Sequence, residues 1–542
     1  MISHVHTGTV EGMTGIPVTV EVDLANGLPG LTIVGLPDTA ISEAKERIKA
    51  GIKNSGFEVP LKKVVFNLAP ADIRKEGTGF DLPMTVGLLL SSGTLQATED
   101  TDKTCFIGEV SLAGDLRRVH GVLSLAIMAK EQGFTRLVVP EDNRDEAALV
   151  EGIDVFGLKS LKDLPLFFLH PHSFLKPINR HAIMERLETE QTDTFVDMKD
   201  IKGQHTAKRA LEISAAGGHN MLMIGPPGSG KSLLAKAFSG ILPPLTFDEM
   251  LEVSQVYSVS GLLNQHKTLV AHRPFRSPHH SASIPGIIGG GSHPKPGEIS
   301  LAHRGVLFLD EFVEFPRHVL EVLRQPLEDG NVSISRARHN VSFPAKSILL
   351  AAMNPCPCGF RGDASKQCTD TDHQIQRYVS KLSGPLLDRI DLHIEVPRLS
   401  DEELLNLSNR NFNPTKESEN TNEKNRETST AIRNRVIKAR KLQTQRFSDQ
   451  PITCNAEMPP HLIKTYCQLD EAGTNVMKHA LQQLQLSARA YDRILRLSRT
   501  IADLANAEHI ETNHLAEALQ YRAMDRLYKL NQEQKHPQRS IA

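Results

Sequence analysis

The sequence predicts an α/β protein, and three stretches carry that prediction. "MLMIGPPGSGKSLLAKAF", residues 221–238, passes from an apolar strand through a glycine-rich turn into a helix. "GVLFLDE" and "SILLAAMNP" are two further apolar strands that end on polar side chains. Residues 1–170 alternate the period of a strand with that of a helix, which predicts a second α/β unit ahead of the first.

Within residues 1–170, "IPVTVEVDL" sets Val18, Val20 and Val22 on one strand face, and "DTAISEAKERIKAGI" sets Ile41, Ala44, Ile48 and Ile52 on one helix stripe. "KVVFNLAP", "FIGEVSLAG" and "RLVVPED" read as further strands, with a helix near Leu123–Gln132. Residues 171–196 are polar and carry proline, the composition of a linker. Residues 197–400 hold the glycine-rich turn and its companion strands. Residues 401–430 include "NRNFNPTKESENTNEKNRETST", almost free of aliphatic side chains, which reads as a flexible insertion. From 431 to 542 the pattern is helical, as in Ile494, Leu497, Ile501 and Leu504.

A chain of 542 residues exceeds one hydrophobic core, so several domains are expected. The formal net charge of -2 excludes a global basic bias and leaves any polyanion surface to a local patch. Six cysteines, three of them clustered, do not make a disulfide framework and favour a reducing compartment. No apolar run has membrane-spanning length, and the opening "MISHVHTGTVEGMTG" lacks a basic segment followed by an apolar one. A cytoplasmic location, with no membrane partner, is the expectation.

Gly225, Pro226, Pro227, Gly228, Ser229, Gly230, Lys231 and Ser232 fill the pattern G-x-x-x-x-G-K-[ST]. Its glycines let backbone N–H groups turn inward around phosphates at a helix N-terminus, Lys231 reaches the β/γ-phosphates, and the Ser232 hydroxyl ligates Mg²⁺. The strand "GVLFLDE" then offers Asp310 for the same metal and Glu311 to polarise an attacking water. ATP and Mg²⁺ are the expected cofactors. Asn354 ends the third strand, where it either helps to position water near the γ-phosphate or simply forms an Asn-Pro turn.

Taken in order, "GPPGSGKS", "LFLDE", "AAMNP" and "SGPLLDRIDLHIEV" resemble an AAA+ ATPase of the magnesium-chelatase-like branch. With "GLPGLTIVGLPD", "NLAPADIRKEG" and "RPFRSPHHSAS", the chain is similar to the ComM/YifB family over nearly all its length apart from 409–430. The resemblance implies an AAA+ core with a C-terminal helical lid. It also implies a homo-hexameric ATPase that drives branch migration of DNA during natural transformation. Arg389 matches the arginine finger that completes a neighbouring subunit's site, worth about 10³–10⁵ in rate in NTPases generally. Arg489 matches the lid arginine that senses the γ-phosphate, with Arg493 and Arg496 as weaker alternatives on the same helix. A chelatase-type motor that remodels a protein partner is the alternative function.

The resemblance also suggests what the ring grips. "NVSISRARHNVSFPAKS" alternates polar and apolar residues as a hairpin does, with Arg336 and Arg338 near its tip, at the place where related ATPases point a hairpin into the pore. Arg273, Arg276, His279 and His280 sit beside a "GIIGGG" run and form a second candidate, a pore-side loop that contacts DNA or transmits the nucleotide state. No carboxylate lies close to the histidine pair in sequence, and adjacent histidines chelate metal poorly.

"CPCGFRGDASKQCTDTDH" offers Cys356, Cys358 and Cys368 with Asp370, Asp372 or His373 as a fourth ligand for structural Zn²⁺, and Asp370 holds the position where related sequences place a second C-x-C cysteine. The competing reading is a plain loop with free thiols. The N-terminal unit resembles a Lon-protease-like domain. Matching "KEGTGFDLPM" and "GEVSLAGDLRRVHGVLSLA" to Lon's catalytic segments puts Gly79 and Leu123 at the nucleophile and lysine positions, and neither side chain can do that chemistry. Arg74, Lys75, Arg117 and Arg118 read either as phosphate contacts or as solvated surface charge.

Overall fold

Two sheets organise the protein. The structure is a computed structural model and describes residues 2–175, 196–263, 268–291, 294–335, 340–363, 366–398, 427–484 and 486–522. Arg336 and Arg338, most of the 171–196 linker and nearly all of the 401–430 insertion lie outside the described residues.

The first sheet has seven strands in the order Gly30–Val34, Lys63–Ala69, Thr14–Ala25, Ser3–Glu11, Thr104–Phe106, Arg136–Pro140 and Asp154–Leu158. Val18, Val20 and Val22 are buried on one face, as their alternation predicts, and so is the stripe Ile41, Ala44, Ile48 and Ile52 on the helix Thr39–Asn54. Asp38 caps that helix by accepting from the Ile41 N–H at 2.8 Å. Each of these valines and isoleucines stabilises the fold by about 1.5–3 kcal/mol on burial. One expectation needs correction. "FIGEVSLAG" is not one strand: the ladder ends at Phe106, and Glu109–Val110 turns away to pair with Leu116–Arg117.

The second sheet has five parallel strands in the order Phe275–Arg276, Val306–Leu309, Ile348–Met353, Met221–Ile224 and Leu392–Glu395. The three central strands are buried at every residue, which is why they read as continuous apolar runs: helices cover both faces of a parallel sheet. Their carboxyl ends bring Gly225, Asp310 and Asn354 to one edge, where ligands bind in open α/β sheets.

The C-terminal helices Ser429–Arg446, Pro460–Tyr466, Glu471–Leu484, Ala488–Leu504 and Thr512–Gln520 share one apolar core with this sheet. The first of them starts at Ser429, inside the stretch read as insertion, because Thr428 caps it by accepting from the Ala431 N–H.

The two sheets meet through the helix Phe247–Ser260. Its Met250, Val253 and Val256 pack into a cluster with Leu123, Leu125 and Ala126 of the N-terminal helix Val122–Glu131. Gln255 donates to the Met13 carbonyl at 2.8 Å and to Ser124 Oγ at 3.1 Å. Among the described residues, no helix is long and apolar enough to cross a membrane.

Candidate ATP site

The turn between Ile224 and the helix Lys231–Phe238 is shaped by two kinds of glycine. A Cβ on Gly225 would lie 2.1 Å from the Val396 carbonyl oxygen, so only glycine lets the loop pass the last strand. Gly230 has room for a side chain but holds φ +91°, a left-handed conformation that other residues rarely adopt. Lys231, buried at the start of the helix, donates to the carbonyls of Gly225 at 2.7 Å and Pro226 at 2.9 Å, and approaches Asn354 Oδ1 at 3.4 Å. Burial lowers its pKa from the ordinary lysine value, with Asp310 acting in the opposite sense. A buried ammonium held only by neutral oxygens is poised for an anion.

Ser232 Oγ donates to Asp310 Oδ2 at 2.7 Å. Hydroxyl and carboxylate thus already stand together as two oxygen ligands for a hard divalent cation, so the donor set fits Mg²⁺. The Glu311 N–H donates to Asp310 Oδ1 at 2.9 Å and fixes the carboxylate's other oxygen. Glu311 itself sits at φ +50°, ψ +45°, a strained conformation for a non-glycine residue, of the kind that persists at functional sites. Its side chain is exposed.

The histidine pair changes neighbourhood in three dimensions. His280 Nδ1 lies 3.0 Å from Glu311 Oε2, and its ring packs at 4.1 Å against that of His279. This corrects the reading that no carboxylate is close to the pair: the partner is remote in sequence, on the next strand's end. His279 is exposed and bonded to Ser281 Oγ at 2.8 Å. Arg276 is bound through two 2.6 Å bonds to Glu298. Arg273 is a clamp in the protein interior, donating to the carbonyls of Pro243 and Arg304 and to Glu249, and burial pushes its pKa down to about 10.

Arg389 is buried. It bonds the Pro385 carbonyl at 2.7 Å and pairs with Glu328 of its own chain. Two residues on, Asp391 accepts from Arg493 at 2.6 Å and contacts His219 Nδ1 at 3.3 Å, while His219 Nε2 reaches Thr500 at 2.8 Å. Burial pushes the Asp391 carboxyl up, but Arg493 and His219 together hold it well below the usual range. Arg493 is therefore committed to tying the helix Ala488–Leu504 to the sheet, and Arg496 lies further along that helix, half-buried. Arg489, in its first turn, is exposed. The hairpin expected between Asp310 and Asn354 is present as Asn331–Ser335 paired with Asn340–Pro344. Its Val341 sits where a Cβ on Gly12 of the N-terminal sheet would meet it at 2.5 Å, so that sheet braces the hairpin.

Cys356, Cys358 and Cys368 converge with sulfur separations of 3.3, 3.6 and 3.5 Å, and Asp370 Oδ2 lies 3.9 Å from Cys368 Sγ. All four ligand atoms fall within 4.8 Å of one another. Asp372 and His373, the other candidates, are exposed in the helix Asp372–Val379 and are not in this group. In the N-terminal unit, Leu123 is fully buried in the seam between the sheets. Lys75 is no surface charge either: it is fully buried and donates to the Pro70 and Ile73 carbonyls. Arg118 pairs with buried Glu146, which also accepts from Ser258 across the seam. Arg74 and Arg117 remain exposed.

Three family models match the chain: magnesium chelatase subunit ChlI over residues 197–404, subunit ChlI of Mg-chelatase over 20–143, and its C-terminal part over 426–522. The competence protein ComM of Haemophilus influenzae is 44% identical over 512 residues, 94% of this chain and 95% of that protein. The uncharacterized protein YifB of Escherichia coli is 41% identical over 526 residues, 97% of this chain and 98% of its own length. A shorter stretch of 174 residues is 30% identical to the archaeal Lon protease of Methanocaldococcus jannaschii, 30% of this chain and 23% of that one.

Proposed function

The chain belongs to the ComM/YifB family of magnesium-chelatase-like AAA+ proteins, and on that premise we propose that it is an ATP-driven DNA translocase promoting branch migration during natural transformation. It works in the cytoplasm as a homo-hexameric ring on single-stranded, forked or joint DNA. The observation that carries the ATPase half is the Ser232–Asp310 bond beside a buried, anion-seeking Lys231. The DNA half is supported by a likeness to a competence protein that runs nearly end to end. A chelatase-type motor has weaker support, since the Rhodobacter capsulatus magnesium-chelatase 38 kDa subunit is 25% identical over 29% of this chain.

The loop Gly225–Ser232 cradles the triphosphate and Lys231 neutralises its β/γ oxygens. Bound at Ser232 and Asp310, Mg²⁺ supplies charge neutralisation of the phosphates. Glu311 polarises the attacking water and Asn354 helps to hold it. Arg389 leaves Glu328 to complete the site of the next subunit, while Arg489 reads the γ-phosphate from the C-terminal helices, which act as a lid. Arg336 and Arg338 grip the sugar-phosphate backbone without reading sequence, with Arg276, His279 and His280 on the neighbouring loop. The Lon-like unit is a scaffold and not a peptidase, because Gly79 and Leu123 replace the dyad. Cys356, Cys358, Cys368 and Asp370 hold structural Zn²⁺.

The test is ATP turnover with and without single-stranded and forked DNA, together with strand displacement on a four-way junction, with Lys231→Ala as control. DNA stimulates turnover and the junction is resolved if the reading holds. Indifference to DNA, combined with stimulation by a protein partner, would replace it with the chelatase-type reading.

A further inference from the structure

We infer that the cysteine cluster is a metal-closed brace for the ATP site. Cys356, Cys358, Cys368 and Asp370 bind one Zn²⁺, and the bound metal presses the turn Cys356–Gly359 onto the phosphate loop. The inference rests on the zinc reading above and adds a consequence for nucleotide binding.

Tetrahedral Zn²⁺ with Zn–S bonds of about 2.3 Å sets its thiolates about 3.8 Å apart. The three sulfurs stand 3.3–3.6 Å from one another, already close to that spacing. They are far from a disulfide, whose sulfurs bond at about 2.05 Å. Asp370 Oδ2 accepts from the Cys358 N–H at 2.7 Å, a bond that aims the carboxylate at the sulfurs. All four ligands are protein atoms, so the metal's part is structural and not catalytic.

The chain around the ligands carries the consequence. Cys356 follows Asn354 by two residues, directly off the end of the strand Ile348–Met353. The Gly359 N–H donates to the Cys356 carbonyl at 3.0 Å and closes a turn at φ +85°. A Cβ on Gly359 would stand 2.7 Å from Pro227 Cδ and 3.8 Å from Asn354 Cγ. The turn that begins on a metal ligand therefore ends in contact with both the phosphate loop and the residue beside Lys231. Cys356 is fully buried, and Cys358 and Cys368 pack against the same apolar cluster as the strand Val306–Leu309. Without the metal, three thiols have to share that volume, and the turn loses the crosslink between its two arms.

The experiment uses the full-length protein. Zinc per chain is measured by mass spectrometry of the metal, and affinity for a fluorescent ADP analogue is measured before and after treatment with a zinc-selective chelator, with Mg²⁺ held constant. One zinc per chain is expected, and its removal weakens binding of the analogue by about tenfold, which is about 1.4 kcal/mol. Added Zn²⁺ restores the affinity, and Cys368→Ser behaves as the stripped protein. Two further outcomes overturn different parts of the account. Sub-stoichiometric zinc in freshly purified protein sinks the metal site. Full zinc with an affinity indifferent to its removal sinks the brace and leaves the zinc reading standing. Should the stripped chain unfold, Gly359→Ala decides. It keeps all four ligands, and full zinc with weakened analogue binding is expected, whereas unchanged binding rejects the brace.

Discussion

The two sheets treat their buried polar groups in opposite ways. In the N-terminal unit the buried charged and amide side chains are met by protein partners: Asp81 takes two bonds from Arg47, Asn143 closes on the Val119 backbone, Lys75 caps two carbonyls, and Glu146 pairs with Arg118. In the five-stranded sheet the strand ends carry groups whose needs the chain meets only in part. Lys231 rests on neutral oxygens, the exposed Ser232 hydroxyl donates to a half-buried carboxylate, and Glu311 sits in a strained backbone conformation. Satisfied buried polar groups rigidify a scaffold, and under-satisfied ones at the edge of a parallel sheet are where a ligand completes the structure. The first region supports and the second reacts.

That contrast is breakable, and the largest effects are expected in the second region. Glu311→Gln should bind ATP normally and lose at least about 100-fold in turnover, the scale of a removed general base. Equilibrium nucleotide binding and steady-state hydrolysis measured together check this, and wild-type turnover would reassign the water-polarising group. Arg118→Ala should do the reverse. It leaves the buried Glu146 carboxylate without its cation, with only the neutral donors Ser258 and Asn143 beside it, costs about 3 kcal/mol in a urea titration, and keeps DNA-free ATP turnover within about twofold. A large loss of turnover with intact stability would show that the N-terminal sheet takes part in the chemistry.

His280 sharpens the boundary. Because its Nδ1 lies 3.0 Å from Glu311, His280→Ala should lower kcat roughly tenfold with little change in KM, and His280→Asn should recover part of it by offering a hydrogen-bond donor. A purely DNA-binding role would leave DNA-free turnover untouched. The smallest effect is one of pH. His393 is fully buried, and burial, with Arg522 and Arg493 adding to it and Asp391 opposing, holds its pKa well below the ordinary histidine value. The unfolded chain therefore binds a proton that the folded chain refuses, so stability is full above about pH 6.5 and falls as pH drops, by at most about 1.4 kcal/mol per unit. Urea midpoints at pH 7.5 and 5.5 should converge in His393→Leu, and an unchanged difference would place the titration elsewhere.

The fold was legible where its signals are local. Four buried apolar residues followed by glycines at fixed spacing announce the strand and the loop at 221–232, and the stripe on Thr39–Asn54 needs only the helical period. The cysteine convergence was legible too, since its ligands lie within a short loop. What stayed hidden depends on strands that are neighbours in space alone. His280 meets Glu311 because Phe275–Arg276 pairs beside Val306–Leu309. Arg389 meets Glu328, and Arg493 meets Asp391, by tertiary packing that no spacing encodes. The same holds for Arg118, whose charge suggests surface and whose partner Glu146 lies at the sheet seam, whereas Lys75 is buried on the carbonyls of its own loop.

The central claim is that one chain's phosphate loop is completed by another chain's Arg389, and mixing two inactive proteins tests it most directly. Lys231→Ala supplies intact arginines without a working loop, and Arg389→Ala supplies a working loop without the arginine. ATP turnover should be near zero for each alone and should rise when they are mixed in equal amounts with forked DNA. A mixture as inert as its components, although the two proteins co-assemble, would contradict the shared site.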